Sequence, residues 1–182
     1  MIEGTSPDYA LYTGGAEILP QRTSRTYEIW PSKPYQRLWG KLTHRNVITS
    51  KKPETVISPN VNVGECWCFN GTQGQIGIKL SRNVIVTHIT YSHIGKGVSI
   101  DPISSAPREF ELWGLNEDFK IFLGKYQYDL NGRPSQIFNV PDEIAKKNNR
   151  RISSVVMRVM NNHENPKFTC LYRLQIHGIM PN

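Results

Sequence analysis

The chain has 182 residues, 38% apolar and 20% charged, enough to bury a core, and no run approaches the ~18–20 consecutive apolar residues that cross a bilayer as a helix. Its formal charge of +7 sits between Arg22 and Lys52, where eight basic residues oppose Glu28 alone and the remainder balances; a nucleic-acid binder more often spreads its basic face over the fold. Three cysteines, Cys66, Cys68 and Cys170, are too few for a disulfide scaffold and lack the paired spacing of a zinc site.

The polar start, with Glu3, Thr5 and Ser6, has no basic-then-apolar leader and reads as a domain taken from something longer, any membrane anchor then lying outside the chain. Residues 27–52 differ from the rest. Pro31 and Pro34 lead into Tyr35, Leu38, Trp39 and Leu42, spaced i, i+3, i+4, i+7 like one face of an amphipathic helix, with Arg37, Lys41 and Arg45 as a second, basic row. Gly40 costs such a helix about 1 kcal/mol relative to Ala, so a twisted hairpin is the alternative. The stripe either projects with its cations or folds its aromatics onto the core.

Gly71, Gly74 and Gly77 fit tight turning and close backbone approach better than a phosphate loop, because no Lys-Ser/Thr pair follows them. Ile76, Ile78 and Leu80 then alternate with Gly77 and Lys79 at the period of a half-buried strand. Strand-length runs follow at 84–94, 109–115, 120–128, 136–140, 152–160 and 168–179, separated by turn formers such as Gly95-Lys96-Gly97 and Asn131-Gly132. One helical turn is expected at 142–147, opened by Pro141. Strands without intervening helices predict an all-β protein, two antiparallel sheets packed face to face, with Trp67 and Trp113 in the core.

Catalytic signatures are missing. His163-Glu164 runs into Asn165-Pro166, a turn rather than a metal-binding helix, and no Gly-x-Ser-x-Gly elbow occurs. His44, His88, His93, His163 and His177 are scattered without a Ser or Cys partner in local sequence. A non-enzyme is expected.

Four stretches, in order, resemble the SUN domain family. They are Asp8-Tyr9-Ala10-Leu11 with Gly14-Gly15-Ala16; Gly64-Glu65-Cys66-Trp67-Cys68-Phe69-Asn70-Gly71-Thr72-Gln73-Gly74; Ile103-Ser104-Ser105-Ala106-Pro107 leading to Phe110, Gly114 and Gly124-Lys125; and Phe168-Thr169-Cys170-Leu171-Tyr172-Arg173 ending in His177-Gly178. The resemblance spans nearly the whole of 1–182 and implies a galactose-binding-like, jelly-roll-like sandwich. It implies a domain of inner-nuclear-membrane proteins, placed in the perinuclear space and gripping the C-terminal tails of KASH proteins in a bridge from cytoskeleton to nucleus (the LINC complex). The basic residues and long lid point to a fungal member, with roles at spindle pole bodies or telomere tethering.

The same resemblance implies site residues. His93, Ser104, Ser105 and Tyr172 would meet the tail's terminal carboxylate, and Phe168 stands where animal members carry a second tyrosine. From the residues alone, Ser105 reads as a turn residue before Ala106-Pro107 and Tyr172 as a core aromatic. Residues 27–52 would be the lid against which a tail pairs as an added strand, its cations selecting an acidic tail or anionic lipid headgroups. Cys66 and Cys170 would form the family's disulfide, about 4–5 kcal/mol in the loop-entropy model, leaving Cys68 spare on the face it shares with Cys66. Thr23 stands where some members place a cysteine that bridges to the partner. Residues 54–66 resemble a loop whose backbone carbonyls hold potassium, with Ser58, Asn60 and Glu65 at ligand-loop positions. Asn70-Gly71-Thr72 is a glycosylation sequon. Family members trimerise through an upstream coiled coil, so this chain alone is expected to be a monomer. Two rival readings are a discoidin-like carbohydrate-binding module and a membrane-surface module using the basic insertion.

Overall fold

Apolar alternation buries Ile76, Ile78 and Leu80, and the strand that carries them continues well past Leu80. In the computed structural model, which describes residues 6–43, 48–97, 103–148 and 151–180, the order is β1 (Glu17–Ile18), β2 (Glu28–Ile29), α1 (Pro34–Thr43), β3 (Ile48–Thr49), β4 (Trp67–Asn70), β5 (Gly74–Ser92) and β6 (Pro107–Leu115). There follow β7 (Lys120–Gln127), β8 (Ser135–Asn139), α2 (Asp142–Asn148), β9 (Ile152–Asn162), β10 (Phe168–Leu171) and β11 (Arg173–Ile179), with short 3-10 turns at Tyr12–Gly14, Pro20–Arg22 and Pro53–Ile57.

Two sheets share β5. Its first part lies in an antiparallel sheet of order β1-β5-β9-β6-β7, and its second part lies between β8 and β11. The pairing register shifts between Lys79 and Val84, where the polar residues Ser81, Arg82 and Asn83 intervene. A bulge there bends the strand from one sheet into the other. Rings close the gap between sheets: Phe110 of β6 lies 5.3 Å edge-on to Phe138 of β8 and 6.3 Å from Tyr91 of β5, and Tyr126 of β7 lies 5.4 Å from Phe138. This is the face-to-face antiparallel sandwich expected, with little helix.

Details depart from expectation for local reasons. The run at 168–179 is two strands, because Tyr172 separates β10, which pairs with β4, from β11, which pairs with β5. Trp67 is fully buried, its indole N–H donating to Thr26 Oγ1 at 3.0 Å. Trp113 is only half-buried, packed edge-on against Phe122 at 5.0 Å with Lys120 Nζ 4.3 Å above its ring. A cation over one face keeps that ring at the surface. Gly77 is required where it stands, since a Cβ there would lie 2.7 Å from Arg22 Cβ. At the other end Asp8 clamps the early chain to β11: its carboxylate pairs with Arg173 at 3.2 Å and accepts the N–H groups of Ala10 and Ile176.

Candidate functional site

The segment 27–52 turns out to combine both forms open to it. β2 and β3 pair as a short antiparallel stem, with Glu28 opposite Thr49, and α1 is carried at its end. The stem is fastened to β4: Tyr27 N–H donates to the Cys68 carbonyl at 2.7 Å, and Cys68 N–H donates to Ser50 Oγ at 3.0 Å. Along α1, Gly40 is the buried residue. Tyr35, Leu38, Trp39 and Leu42 are 59%, 62%, 64% and 74% exposed, with Arg37 and Lys41 exposed beside them. The stripe therefore projects with its cations. A cleft of about 410 Å³ opens between Trp30, Pro34, Arg37, Leu38 and Lys41. Arg45 and His44 lie outside the described residues.

β4 carries the path onward. It pairs antiparallel with β10, and Phe168 at the start of β10 contacts Tyr27 of the lid base, ring centroids 4.9 Å apart. Cys170 N–H donates to the Ser105 carbonyl at 2.9 Å. Lid stem, β4, β10 and the turn holding Ser104 and Ser105 are thus joined in one hydrogen-bonded run, in which β4 and β10 are largely buried and the turn is half-exposed. Both serines are half-exposed, in the turn that precedes β6.

His93 and Tyr172 lie inward of that turn. Their rings meet edge-on at 4.5 Å, and they are 2% and 4% exposed. The Tyr172 hydroxyl accepts the N–H of Gly64 at 3.2 Å, while Ile94, Ile103, Val61 and Cys66 pack around the ring. Gly64 holds a left-handed φ of 82°, which lets the 58–66 loop turn back over Tyr172. Burial pushes the Tyr172 phenol up to about 12 and the His93 imidazole from 6.5 down to about 4. Nδ1 of His93 contacts the Ile94 carbonyl at 3.3 Å, and although the Cys170 backbone also acts on the ring, Nε2 has no partner in hydrogen-bond geometry. Neutral and covered, His93 holds the site's shape rather than supplying charge. Ser104 and Ser105 alone among these four offer hydroxyls at the surface.

A polar cleft of about 420 Å³ adjoins the same turn, lined by Lys96, Arg108, Tyr128, Asp129, His163 and neighbours. His163 N–H donates to the Ala106 carbonyl at 3.1 Å, which joins cleft and turn. Arg108 and Lys96 are exposed cations that motif reading passed over, although Arg108 follows Pro107 directly.

The expected Cys66–Cys170 disulfide is corrected. The bond joins Cys68 and Cys170, and Cys66 is a free thiol. The reason is register: antiparallel pairing sets Cys170 opposite Cys68 and Leu171 opposite Trp67, whereas Cys66 lies before the first residue of β4. Thr23 is occupied within the fold, its hydroxyl donating to the Leu19 carbonyl and accepting Gly77 N–H. Asn70 is exposed where β4 ends.

In the 54–66 segment, Ser58 Oγ donates to the Glu54 carbonyl at 2.8 Å, Glu65 pairs with Lys51 at 3.0 Å, and Asn60 is exposed. One oxygen, Oε2 of Glu54, is buried without a hydrogen-bond partner. A buried carboxyl oxygen with no donor makes Glu54 a candidate cation ligand that the sequence pattern did not single out.

Comparison with known proteins bears on the family and the fold. Residues 46–180 match the model of the Sad1 / UNC-like C-terminal family. The chain is 36% identical over 176 residues to mouse "SUN domain-containing protein 3", covering 94% of this chain and 52% of that protein. It is 36% identical over 184 residues to the "Klaroid protein" of Drosophila melanogaster, covering 96% and 18% respectively. The chain thus spans about half the length, or less, of these curated relatives. Among solved structures, a family 32 carbohydrate-binding module of Streptococcus pneumoniae EndoD aligns with a TM-score of 0.61 at 11% identity, covering 95% of this chain and 100% of that one. Allantoicase from Saccharomyces cerevisiae aligns at 0.60 and 14%, covering 95% and 43%. At such identities these two show the sandwich fold alone.

Proposed function

Because the chain belongs to the Sad1 / UNC-like C-terminal, or SUN, domain family, we propose that it is a non-catalytic domain of the nuclear-envelope lumen that binds the C-terminal tail of a KASH or KASH-like protein. The observation that carries this reading is the hydrogen-bonded run that ties the projecting lid stem, through β4 and β10, to the half-exposed Ser104–Ser105 turn. An extended tail would lie along the lid as an added strand, with its last residue at the turn. A terminal carboxylate loses hydration there unless donors replace it. Ser104 and Ser105 hydroxyls supply neutral donors, and Arg108 and Lys96 of the adjoining cleft supply charged ones, the stronger kind. Tyr172 joins them when the 58–66 loop gives up the Gly64 contact.

The lid adds selection. Arg37 and Lys41, exposed beside an apolar stripe, favour an acidic tail and speed its encounter, with salt weakening the effect. In the whole protein, three such domains held by an upstream coiled coil would bring tails between neighbours. This chain alone is the weaker, monomeric unit.

Calorimetric titration with tail peptides ending in a free acid or an amide tests the reading. The free acid is expected to bind at least about tenfold more tightly, the worth of one or two charge-assisted hydrogen bonds. Replacing Arg37 and Lys41 by Ala should weaken binding at low salt and flatten its salt dependence. Equal affinity for acid and amide would remove the carboxylate site, and binding to anionic vesicles but to no tail would move the assignment to a membrane surface, which the exposed stripe of α1 favours second.

A further inference from the structure

Tail binding leaves Cys66 without a role. Its Sγ lies 3.9 Å from Cys68 Sγ, and the three sulfurs of Cys66, Cys68 and Cys170 all lie within 4.8 Å of one another, while only two are bonded. Cys66 is half-buried and packs with Tyr172, Ile94 and Ile103; Cys68 and Cys170 are 7% and 5% exposed. Packing therefore holds the free Cys66 thiol beside the Cys68–Cys170 bond. A thiol this close to a disulfide is placed for thiol–disulfide exchange.

We propose that Cys66, Cys68 and Cys170 form an internal exchange site at which the disulfide moves between Cys68–Cys170 and Cys66–Cys170. Cys66 Sγ now lies beside Cys68 Sγ, so its side chain must first rotate into line with the Cys68–Cys170 bond; its thiolate then attacks Cys170 Sγ. A Cys66–Cys170 bond forms as the Cys68–Cys170 bond breaks, and the electron pair leaves on Cys68, which takes up the proton Cys66 released. One disulfide and one thiol are present before and after, so neither oxidant nor reductant is consumed. Attack on Cys68 Sγ would instead close a ring across a single residue; two extended residues span ~6.6–7 Å, the upper limit for a disulfide.

The two pairings differ in what they fasten. Cys68–Cys170 lies within the β4–β10 pair, which backbone hydrogen bonds already join. Cys66–Cys170 would tie the end of the 58–66 loop to β10, beside the Tyr172 that this loop covers. The position of the bond thus sets how firmly the loop closes over Tyr172. Burial raises the Cys66 thiol, against a smaller opposite pull from the Tyr172 hydroxyl, so thiolate is scarce and exchange is slow at neutral pH. The inference stands apart from tail binding, since it concerns the chain alone.

The test maps the free thiol of the full chain over time. Samples held at neutral and mildly alkaline pH are acid-quenched, alkylated in denaturant and sequenced by mass spectrometry. The label is expected to divide between Cys66 and Cys68, approaching a constant ratio about tenfold faster per pH unit while the thiol stays mostly protonated. Cys68→Ser should fold with a Cys66–Cys170 bond, and Cys66→Ser should hold Cys68–Cys170 unchanged. Label that stays on one cysteine at every time and pH, or appears on Cys170, overturns the proposal. So does folded Cys68→Ser with both remaining cysteines labelled, and should that variant fail to fold, the wild-type time course decides by itself.

Discussion

His93 has three aromatic neighbours, Tyr172 at 4.5 Å, Tyr128 at 6.1 Å and Tyr91 at 6.3 Å, and almost no solvent. Its folded pKa of about 4 lies below the ordinary 6.5, mainly because burial disfavours the charged ring. Between those values the unfolded chain binds more protons than the folded one, so stability is fully present above about 6.5 and is lost as pH falls toward 4. His88 and His163 are lowered as well, each chiefly by burial, and add to the same slope. Urea melts across this window should show His93 contributing up to about 3 kcal/mol, and His93→Phe should flatten the slope if it folds. An unchanged slope in a folded variant would mean the ring is not buried neutral. At this scale the sequence is a mixed guide: Ile76 and Tyr172 were readable as inward residues, but which of two cysteines meets Cys170 was not. Cys66 and Cys68 differ by one period of a strand, and only the register of β4 against β10 separates them.

At the scale of elements, the local signals held where they were local. The i, i+3, i+4, i+7 spacing marks α1, and Pro141 opens α2 (Asp142–Asn148). What stayed hidden was continuity: Ser81, Arg82 and Asn83 look like a loop yet ride a bulge within β5, and β10 and β11 look like one strand yet serve different sheets. The cation-loop-like element carries its own prediction. If Glu54 Oε2 holds potassium, replacing potassium chloride by choline chloride at equal ionic strength should lower Tm by a few degrees, the shift from roughly 1 kcal/mol in a chain of this size. Glu54→Gln should abolish the difference. Identical melting in both salts would leave Glu54 as an unexplained buried oxygen.

At the largest scale, segments far apart in the chain are clasped together. Asp8, near the start, and Arg173, near the finish, pair with side chains 10% and 13% exposed, and Asp8 also holds the N–H groups of Ala10 and Ile176. Removing one member of a buried pair leaves the other charge without its partner. Asp8→Ala is therefore expected to cost about 3 kcal/mol by chemical denaturation, well beyond an exposed pair such as Lys79–Glu17. A loss under about 1 kcal/mol would mean that the early segment is not integral to the sandwich.

The sequence by itself determined the all-β class and the family, because alternation and motif order are properties of neighbouring residues along the chain. Tertiary structure alone decided that β5 serves both sheets, that Cys68 rather than Cys66 bonds to Cys170, that Tyr172 is covered by Gly64 while Ser105 stays at the surface, and that Arg108 and Lys96 border that surface. Each of these depends on register and on contacts between residues far apart in the chain, and no local pattern encodes how two distant segments are offset against one another.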